Sequence, residues 1–293
     1  MLCTGIYSPM HSSVYRWFYV NDRKSTIAFS GKDSAKRASD KLNLMLRWLW
    51  RWKFSDHYVL GKLWGVGYRS VMSTVSSYEK KGLIARIKGP GMPSHVYYLK
   101  ELGAEHAAQL MAESRWIDMK PAIYVSRLGL KQVQHDLAVQ YLILKLEKES
   151  KEKTGSGIEV INDRQLRFNN NLLFNEGKKI PDALIRYKNG DLFAIEMVES
   201  MYETQERKRV LWLHAEARAH NKIKGTIYAS TIKSYLRLIQ SAANADCGSW
   251  KYLKDKKKWI NDPKGIKYVN KEYLKESIIF IDMSKYRSKL YTG

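Results

Sequence analysis

The chain has 293 residues and a formal net charge of +22, from 51 Lys and Arg against 29 Asp and Glu. A charge of this size indicates a polyanionic partner, and it favours nucleic acid over the alternative of an anionic membrane surface. Apolar residues make up 44% of the chain, which excludes a disordered protein, yet no run approaches the roughly 20 apolar residues that span a bilayer, so membrane insertion is not expected.

Three regions are predicted along the chain: an N-terminal segment over residues 1–38, a first domain over 39–115 and a second over 125–293. A chain of this length is long enough for two modest domains. The two cysteines, Cys3 and Cys247, lack the spacing of metal ligands. They are predicted to be reduced thiols, as in a cytoplasmic protein.

The first domain is predicted to contain three helices and a hairpin: a helix capped at Ser39 or Asp40, helices over Phe54–Trp64 and Tyr68–Lys81, and strands over Leu83–Ile87 and His95–Leu99. This order is typical of a winged helix-turn-helix; a plain helical bundle with a hairpin is the alternative. In a winged helix the third helix enters the major groove and the hairpin contacts phosphates. The predicted DNA contacts are therefore Arg69, Ser70, Ser73 and Thr74 on the helix, with Arg86 and Lys88 on the hairpin.

Helices and strands alternate in the second domain, which predicts an α/β unit with a mixed sheet in a chain that is α+β overall. The predicted elements are a helix from His135, an exposed turn over Lys148–Gly157, a strand over Glu159–Arg167 that runs into a basic loop, a central hairpin over Ala183–Val198, a helix over Glu203–Asn221, a strand over Gly225–Ser230, a helix over Ile232–Ala245, a lysine-rich patch over Lys251–Lys258 and a last strand over Ser277–Asp282.

The central hairpin carries the most informative carboxylates. Asn189-Gly190 between two apolar runs is a strong hairpin signal, and folding back there is expected to bring Asp182 near Glu196. Glu196 lies in an otherwise apolar strand, where a lone carboxylate is costly unless it is paired or bound to a metal. Two such carboxylates predict a site for Mg²⁺ or Mn²⁺; the alternative is an edge hairpin with two solvated acids.

These residues resemble the PD-(D/E)xK signature of restriction-endonuclease-like nucleases. Pro181-Asp182 matches its first half and Glu196 its second. The chain departs from the signature at Val198, where the family has a lysine, and Glu199 follows on the other strand face. The departure puts ordinary double-strand cleavage in doubt.

The two domains together resemble the replication-relaxation proteins and the related MOBC-class plasmid relaxases, which place a winged helix before a restriction-endonuclease-like domain. The likeness is carried by three stretches: His135-Asp136-Leu137, Asn162-Asp163-Arg164-Gln165-Leu166-Arg167 and Lys179-Ile180-Pro181-Asp182-Ala183. The resemblance implies metal-dependent nicking of one strand at an origin of transfer. It implies double-stranded and single-stranded DNA as partners, together with a coupling protein or accessory relaxosome protein.

Roles at the expected site follow from this resemblance and from residue chemistry. Asp182 and Glu196 are expected to hold the metal, with Glu159 or Glu199 adding a ligand or acting through water. Lys208 is a candidate for the missing cation, against the alternative of a solvated helix charge. Tyr268, ahead of Tyr273, is the candidate nucleophile, because a phosphotyrosyl link conserves the bond energy for rejoining; packing aromatics are the alternative for both. His135 is a candidate contact to phosphate or metal, or a histidine bonded to backbone.

Two other functions compete with the relaxase hypothesis. One is a non-catalytic replication or transcription regulator, in which the second domain is a degenerate nuclease-like unit. The other is a nuclease that uses water and leaves no protein–DNA adduct. A regulator would keep its function when Asp182 and Glu196 are replaced, whereas a relaxase would lose it. A nuclease that uses water would form no covalent adduct with DNA, whereas a relaxase that uses tyrosine would.

Overall fold

The computed structural model describes residues 33–88, 94–112, 129–168, 180–200 and 203–288. Within these ranges the chain has the predicted α+β fold, with helices and mixed sheets. Residues 1–32 of the predicted N-terminal segment lie outside the described residues, as do Gly89–Gly91 at the predicted hairpin tip. In the part of the chain that the structure describes, no helix is both long and apolar enough to cross a membrane.

The first unit consists of four helices and a three-stranded sheet: α1 (Ser34–Trp52), β1 (Phe54–Asp56), α2 (His57–Trp64), α3 (Tyr68–Lys80), β2 (Ile84–Ile87), β3 (Val96–Leu99) and α4 (Glu101–Met111). Its strands pair antiparallel in the order β1-β3-β2. Helix α1 begins earlier than predicted, because the Asp33 carboxylate accepts the N–H groups of Ala35 and Lys36.

The segment Phe54–Trp64, predicted as one helix, is a strand followed by a helix. Phe54–Asp56 pairs with β3, and the buried Asp56 carboxylate then accepts the N–H of Val59 at 2.8 Å, which begins α2. The prediction was wrong because three buried residues that belong to a sheet edge also fit an apolar helical stripe.

The second unit contains a five-stranded mixed sheet, a separate two-stranded hairpin and five helices: α5 (Leu130–Thr154), β4 (Glu159–Asn162), α6 (Asp163–Phe168), β5 (Ala183–Arg186), β6 (Leu192–Met197), α7 (Thr204–Ala219), β7 (Gly225–Ser230), α8 (Lys233–Asn244), β8 (Trp250–Leu253), β9 (Lys258–Asn261), α9 (Lys271–Glu276) and β10 (Ile278–Asp282). The five strands follow the order β10-β7-β6-β5-β4. Strands β6, β7 and β10 are parallel, whereas β4, β5 and β6 are successive antiparallel neighbours.

Two sequence predictions in this unit are corrected. The exposed turn predicted over Lys148–Gly157 is helical through Thr154, because ion pairs four residues apart, such as Lys148 with Glu152, support the last turns of α5. The strand predicted over Glu159–Arg167 ends at Asn162. There the Asn162 side chain accepts the N–H of Gln165 and begins α6.

The two units share one hydrophobic core, which runs from α1 through α5 to β6. Gln140 of α5 is fully buried in it: its side-chain oxygen accepts the indole N–H of Trp48 at 2.8 Å, and its amide donates to the carbonyl of Phe54 at 3.0 Å. Two further side chains of the second unit donate to α1 carbonyls, Asn162 to Arg51 and Arg164 to Trp50. The first unit is therefore packed against the second rather than tethered to it.

We expect Asp56→Asn to stabilise the protein in a pH-dependent manner. Burial raises the pKa of Asp56 to about 6 from 3.8, against the hydrogen bonds that lower it. The folded state therefore holds this proton more tightly than the unfolded state, and wild-type stability falls by about 3 kcal/mol as the pH rises from 4 to 6. Asn keeps the capping oxygen but carries no charge.

Urea unfolding of both proteins between pH 4 and 7 measures this effect. The advantage of the Asn variant over the wild type should grow between pH 4 and 6 and level off toward pH 7. A difference that does not change with pH would contradict the assignment.

Candidate active site

A pocket of about 310 Å³ lies where α1, α5, α6 and the end of β6 meet. Its lining is rich in charged groups and consists of Trp52, Lys131, Gln132, His135, Asp136, Val139, Asp163, Arg167, Asp182, Glu199 and Ser200. All three stretches that carry the family resemblance contribute to it: His135 and Asp136 from the first, Asp163 and Arg167 from the second and Asp182 from the third. Residues far apart in the chain thus converge on one site.

Asp182, just before β5, is held on three sides. Its N–H donates to the carbonyl of Ile195, its own carbonyl accepts the N–H of Asp163, and its carboxylate accepts the N–H of Met197 at 2.7 Å. The backbone at the end of β6 therefore orients this carboxylate before any ligand is bound.

His135 lies between two of the pocket carboxylates. Its Nε2 is 3.3 Å from Asp182 Oδ2, and its Nδ1 is 3.4 Å from Asp136 Oδ1. Burial alone would lower the pKa of His135, but the two carboxylates outweigh it and raise that pKa to about 11. The imidazole is therefore a cation at neutral pH, and it offsets part of the negative charge around Asp182.

Negative charge is nevertheless concentrated here. Burial, together with the nearby Asp136 and Asp182, raises the pKa of Asp163, while Arg167 opposes the shift. Glu199 adds a fourth carboxylate, which is fixed by Thr231: one oxygen accepts its backbone N–H at 2.7 Å and the other its hydroxyl at 2.6 Å. Among the described residues, no three His, Cys, Asp or Glu side chains are already arranged to hold a metal ion.

Glu196 does not join Asp182 in this pocket. Its carboxylate is buried and lies 3.3 Å from Nε2 of His214 on α7, while Nδ1 of His214 contacts the hydroxyl of Tyr228 at 3.3 Å. Strand alternation directs Glu196 and Val198 toward the core that α7, α8 and β7 form. The expected pairing of Asp182 with Glu196 is therefore corrected: the carboxylate after β6 that shares the pocket with Asp182 is Glu199.

The remaining predicted site residues lie elsewhere. Glu159 begins β4 at the end opposite Asp182, paired in register with Arg186. Lys208 on α7 lies near Asp246 and Cys247. The Lys267 ammonium holds the pKa of Asp246 below its usual value, with a smaller contribution from Lys208, and burial raises the pKa of Cys247 to about 11. None of these residues lines the pocket.

Neither candidate tyrosine lies at the pocket. Tyr268 packs against Trp212 and His220, with ring centroids 5.4 and 5.8 Å away. Tyr273 is fully buried, and that burial raises its pKa strongly. Both positions match the alternative of packing aromatics.

The predicted DNA-contacting residues are grouped on the first unit. Arg69, Ser70 and Ser73 are exposed on one side of α3, whereas the hydroxyl of Thr74 donates to the carbonyl of Ser70. Arg86 lies on β2, with its Nε 3.2 Å from Oε1 of Glu79. Lys88 follows the end of β2 and is exposed. The exposed side of α3 thus carries one arginine among serines, and its contact with DNA stays a prediction.

Sequence reasoning missed several contributors to these sites, among them the pocket residue Lys131 and the three that follow. Trp52 reaches the pocket from the first unit, Thr231 fixes Glu199 from the end of β7, and His214 contacts Glu196 from α7. Only His214 left a signal, since it lies at helical spacing from the buried Leu211 and Ala217. Contacts between distant elements of this kind have no local pattern.

Comparison with known proteins gives one family match. The model of the replication-relaxation family matches residues 46–208, which is more than half of the chain and includes α3 and every pocket residue. No curated protein and no solved structure matches the chain.

We expect Glu196 and His214 to act as a structural pair. Glu196→Ala and His214→Ala should each lower the free energy of unfolding by about 1–3 kcal/mol, because each leaves a buried polar partner behind. The double variant should lose less than the sum, with a coupling of about 0.5–3 kcal/mol in urea unfolding. Additive losses would show that the two side chains do not interact.

Proposed function

The chain belongs to the replication-relaxation family, and from that membership we propose that it binds DNA through α3 and nicks one strand at an origin of transfer in the pocket around Asp182. The observation that carries the proposal is the convergence of Asp182, Glu199 and the cationic side chains Lys131 and Arg167 on one pocket. The net charge of +22 supports a polyanionic substrate.

The donor set fits a divalent cation. Carboxylate oxygens are the ligands that Mg²⁺ and Mn²⁺ prefer, and Asp182 and Glu199 would hold the ion, with Asp136 and Asp163 next to them. Burial first, and then the charges of Asp136 and Asp182, raise the pKa of Asp163, and a cation would offset the repulsion among these carboxylates. When bound, such an ion polarises a phosphate and stabilises the charge that develops on it.

The protein's own groups perform the rest of the task. Lys131 and Arg167 supply positive charge in the pocket for the phosphates of the strand, and the His135 cation adds to it beside Asp182. Hydrogen bonds from Met197 and Thr231 keep the two key carboxylates in place, so little reorganisation is needed when the strand enters. Trp52 lines the same pocket from the DNA-binding unit.

A second function is favoured by one specific observation. The Asp182 carboxylate is already engaged by His135 and by the N–H of Met197. A chain that binds the origin without cutting it, as a replication regulator does, would have this arrangement at rest. The two functions differ in whether Asp182 and Glu199 are needed for strand cleavage.

We expect Asp182→Asn and Glu199→Gln each to abolish nicking while leaving duplex binding unchanged, because both carboxylates lie in the pocket and away from α3. The assay uses supercoiled plasmids that carry fragments of the DNA encoding this chain and its flanks, with Mg²⁺ or Mn²⁺. Denaturing gels, run with and without protease, reveal the nick and any protein–DNA link. Calorimetric titration with Mn²⁺ should show weaker metal binding in the same two variants.

Two variants outside the pocket serve as matched controls. Glu159→Gln removes a carboxylate at the far end of β4, and Tyr268→Phe keeps the ring packing while removing the hydroxyl. Both should nick as the wild type does. Full nicking by Asp182→Asn would contradict the pocket as the active site. Loss of nicking in Tyr268→Phe would support Tyr268 as the nucleophile.

We expect Arg69→Ala to weaken DNA binding by about 1–3 kcal/mol at a preferred sequence, because an arginine on a recognition helix forms paired hydrogen bonds to a base. Fluorescence anisotropy with a preferred and a scrambled duplex separates the effects. A loss of equal size for both duplexes would identify Arg69 as a phosphate contact. Lys80→Ala, near the end of the same helix, is the control for removal of one positive charge.

A further inference from the structure

The β8–β9 hairpin belongs to neither main sheet. It is a two-stranded unit inserted between α8 and α9, beyond the range that the family model matches. Tyr252 pairs in register with Trp259, so both side chains point to one face of the hairpin. Lys251 and Lys258 lie on the other face, together with the half-buried Leu253 and Ile260.

Aromatic contacts hold the first face against α7. Tyr252 and Trp259 have ring centroids 5.3 Å apart, and Trp259 also contacts Trp212 of α7 at 6.3 Å. The guanidinium of Arg209 lies over the Trp259 ring at 5.6 Å, and the indole N–H of Trp212 donates to the carbonyl of Ile266 at 2.8 Å. The hairpin is therefore anchored, and its orientation is fixed.

The opposite face and the turn carry a dense positive charge. Five lysines and one aspartate occur between positions 251 and 258, and the lysines lie on the surface: Lys251, Lys254, Lys256, Lys257 and Lys258. Within the described part of the chain, no carboxylate forms an ion pair with Lys251, Lys256 or Lys258. Like charges held this close repel one another, and an anionic partner would relieve that repulsion.

We propose that this lysine hairpin binds the phosphate backbone of duplex DNA on the α7 side of the pocket, as a second contact distinct from α3. The proposal rests on the proposed function only in taking this DNA to be the duplex that enters the pocket. The pocket residue Ser200 is four residues from the start of α7, whose second and third turns carry Arg209 and Trp212. The proposal takes α7 as the path by which a duplex bound at the pocket reaches the hairpin.

The placement of the aromatic residues favours a duplex over the other polyanions. Single-stranded DNA binds by stacking its bases on exposed aromatic rings, but Tyr252 and Trp259 pack on each other and, through Trp259, on α7. An anionic bilayer needs exposed apolar side chains beside the cations. Leu253 and Ile260 on the lysine face are half-buried, and Ile266 is 64% exposed, so vesicles are the necessary comparison. A duplex needs only regularly spaced cations, which the hairpin has.

The test compares two triple variants of the full chain that remove the same charge. The hairpin variant is K251Q/K256Q/K258Q. The control, K148Q/K153Q/K188Q, changes exposed lysines on α5 and in the β5–β6 turn. Anisotropy titrations use a duplex of about 40 base pairs and a single strand of the same length at several salt concentrations, and sedimentation uses vesicles that contain phosphatidylserine at about 30%. Thermal unfolding confirms that all proteins are folded.

For the hairpin variant we expect duplex affinity at about 0.1 M salt to fall by at least about tenfold. The slope of log affinity against log salt should become shallower by about 2–3, because each phosphate that the protein no longer neutralises reduces the slope by about 0.9. The control variant should match the wild type. Arg69→Ala combined with the hairpin variant should show both effects, because the two surfaces bind different parts of the duplex.

The proposal would be overturned if the hairpin and control variants lost equal affinity for the duplex. It would also be overturned if the hairpin variant lost affinity only for the single strand, or lost vesicle binding while its duplex binding stayed intact. Its failure is distinguishable from failure of the proposed function. A hairpin variant with unchanged duplex affinity, in a protein that nicks DNA, removes the hairpin proposal alone. A hairpin-dependent salt slope in a protein that never nicks supports the hairpin proposal and removes the nicking function.

Discussion

The hydrogen bonds of Asp182 are the constraint on which the second unit depends. Through its N–H, its carbonyl and its carboxylate, this one residue joins the start of β5 to the end of β6 and to the start of α6. The same bonds fix where the carboxylate points, toward His135 on α5. The register of the hairpin and the shape of the pocket are therefore set together, and one cannot change without the other.

Much of the fold follows from local sequence signals. Asn189-Gly190 predicts the central hairpin because Gly190 adopts a positive φ of 90° and the Asn189 side chain accepts the N–H of Asp191. The boundaries of α3, α7, β7 and α8 agree with prediction to within about two residues, since each has regular apolar spacing and a clear stop. The short strand β1 was missed because three residues carry too little periodicity.

The sequence predicts the carboxylates of the site but not which of them lie together or what holds them. Alternation along β6 correctly separates Glu196 from Glu199, but it does not apply to Asp182, which precedes its strand and is directed by hydrogen bonds instead. The histidine that accompanies Glu196 lies on a helix that begins after the strand, and the threonine that fixes Glu199 follows β7. These contacts depend on how helices pack on the sheet, which no local pattern encodes.

The core shared by the two units has a consequence for how such a chain can evolve. Gln140 satisfies both Trp48 and the carbonyl of Phe54, and the second unit supplies donors to the carbonyls of Trp50 and Arg51. A recombination event in the connector between α4 and α5 would give α5 a foreign neighbour and leave these buried polar groups without partners, at a cost of about 1–3 kcal/mol each. We expect such units to be inherited together. Under the proposed function, a change in the DNA sequence recognised would then come from substitutions on the surface of α3 rather than from exchange of the whole unit.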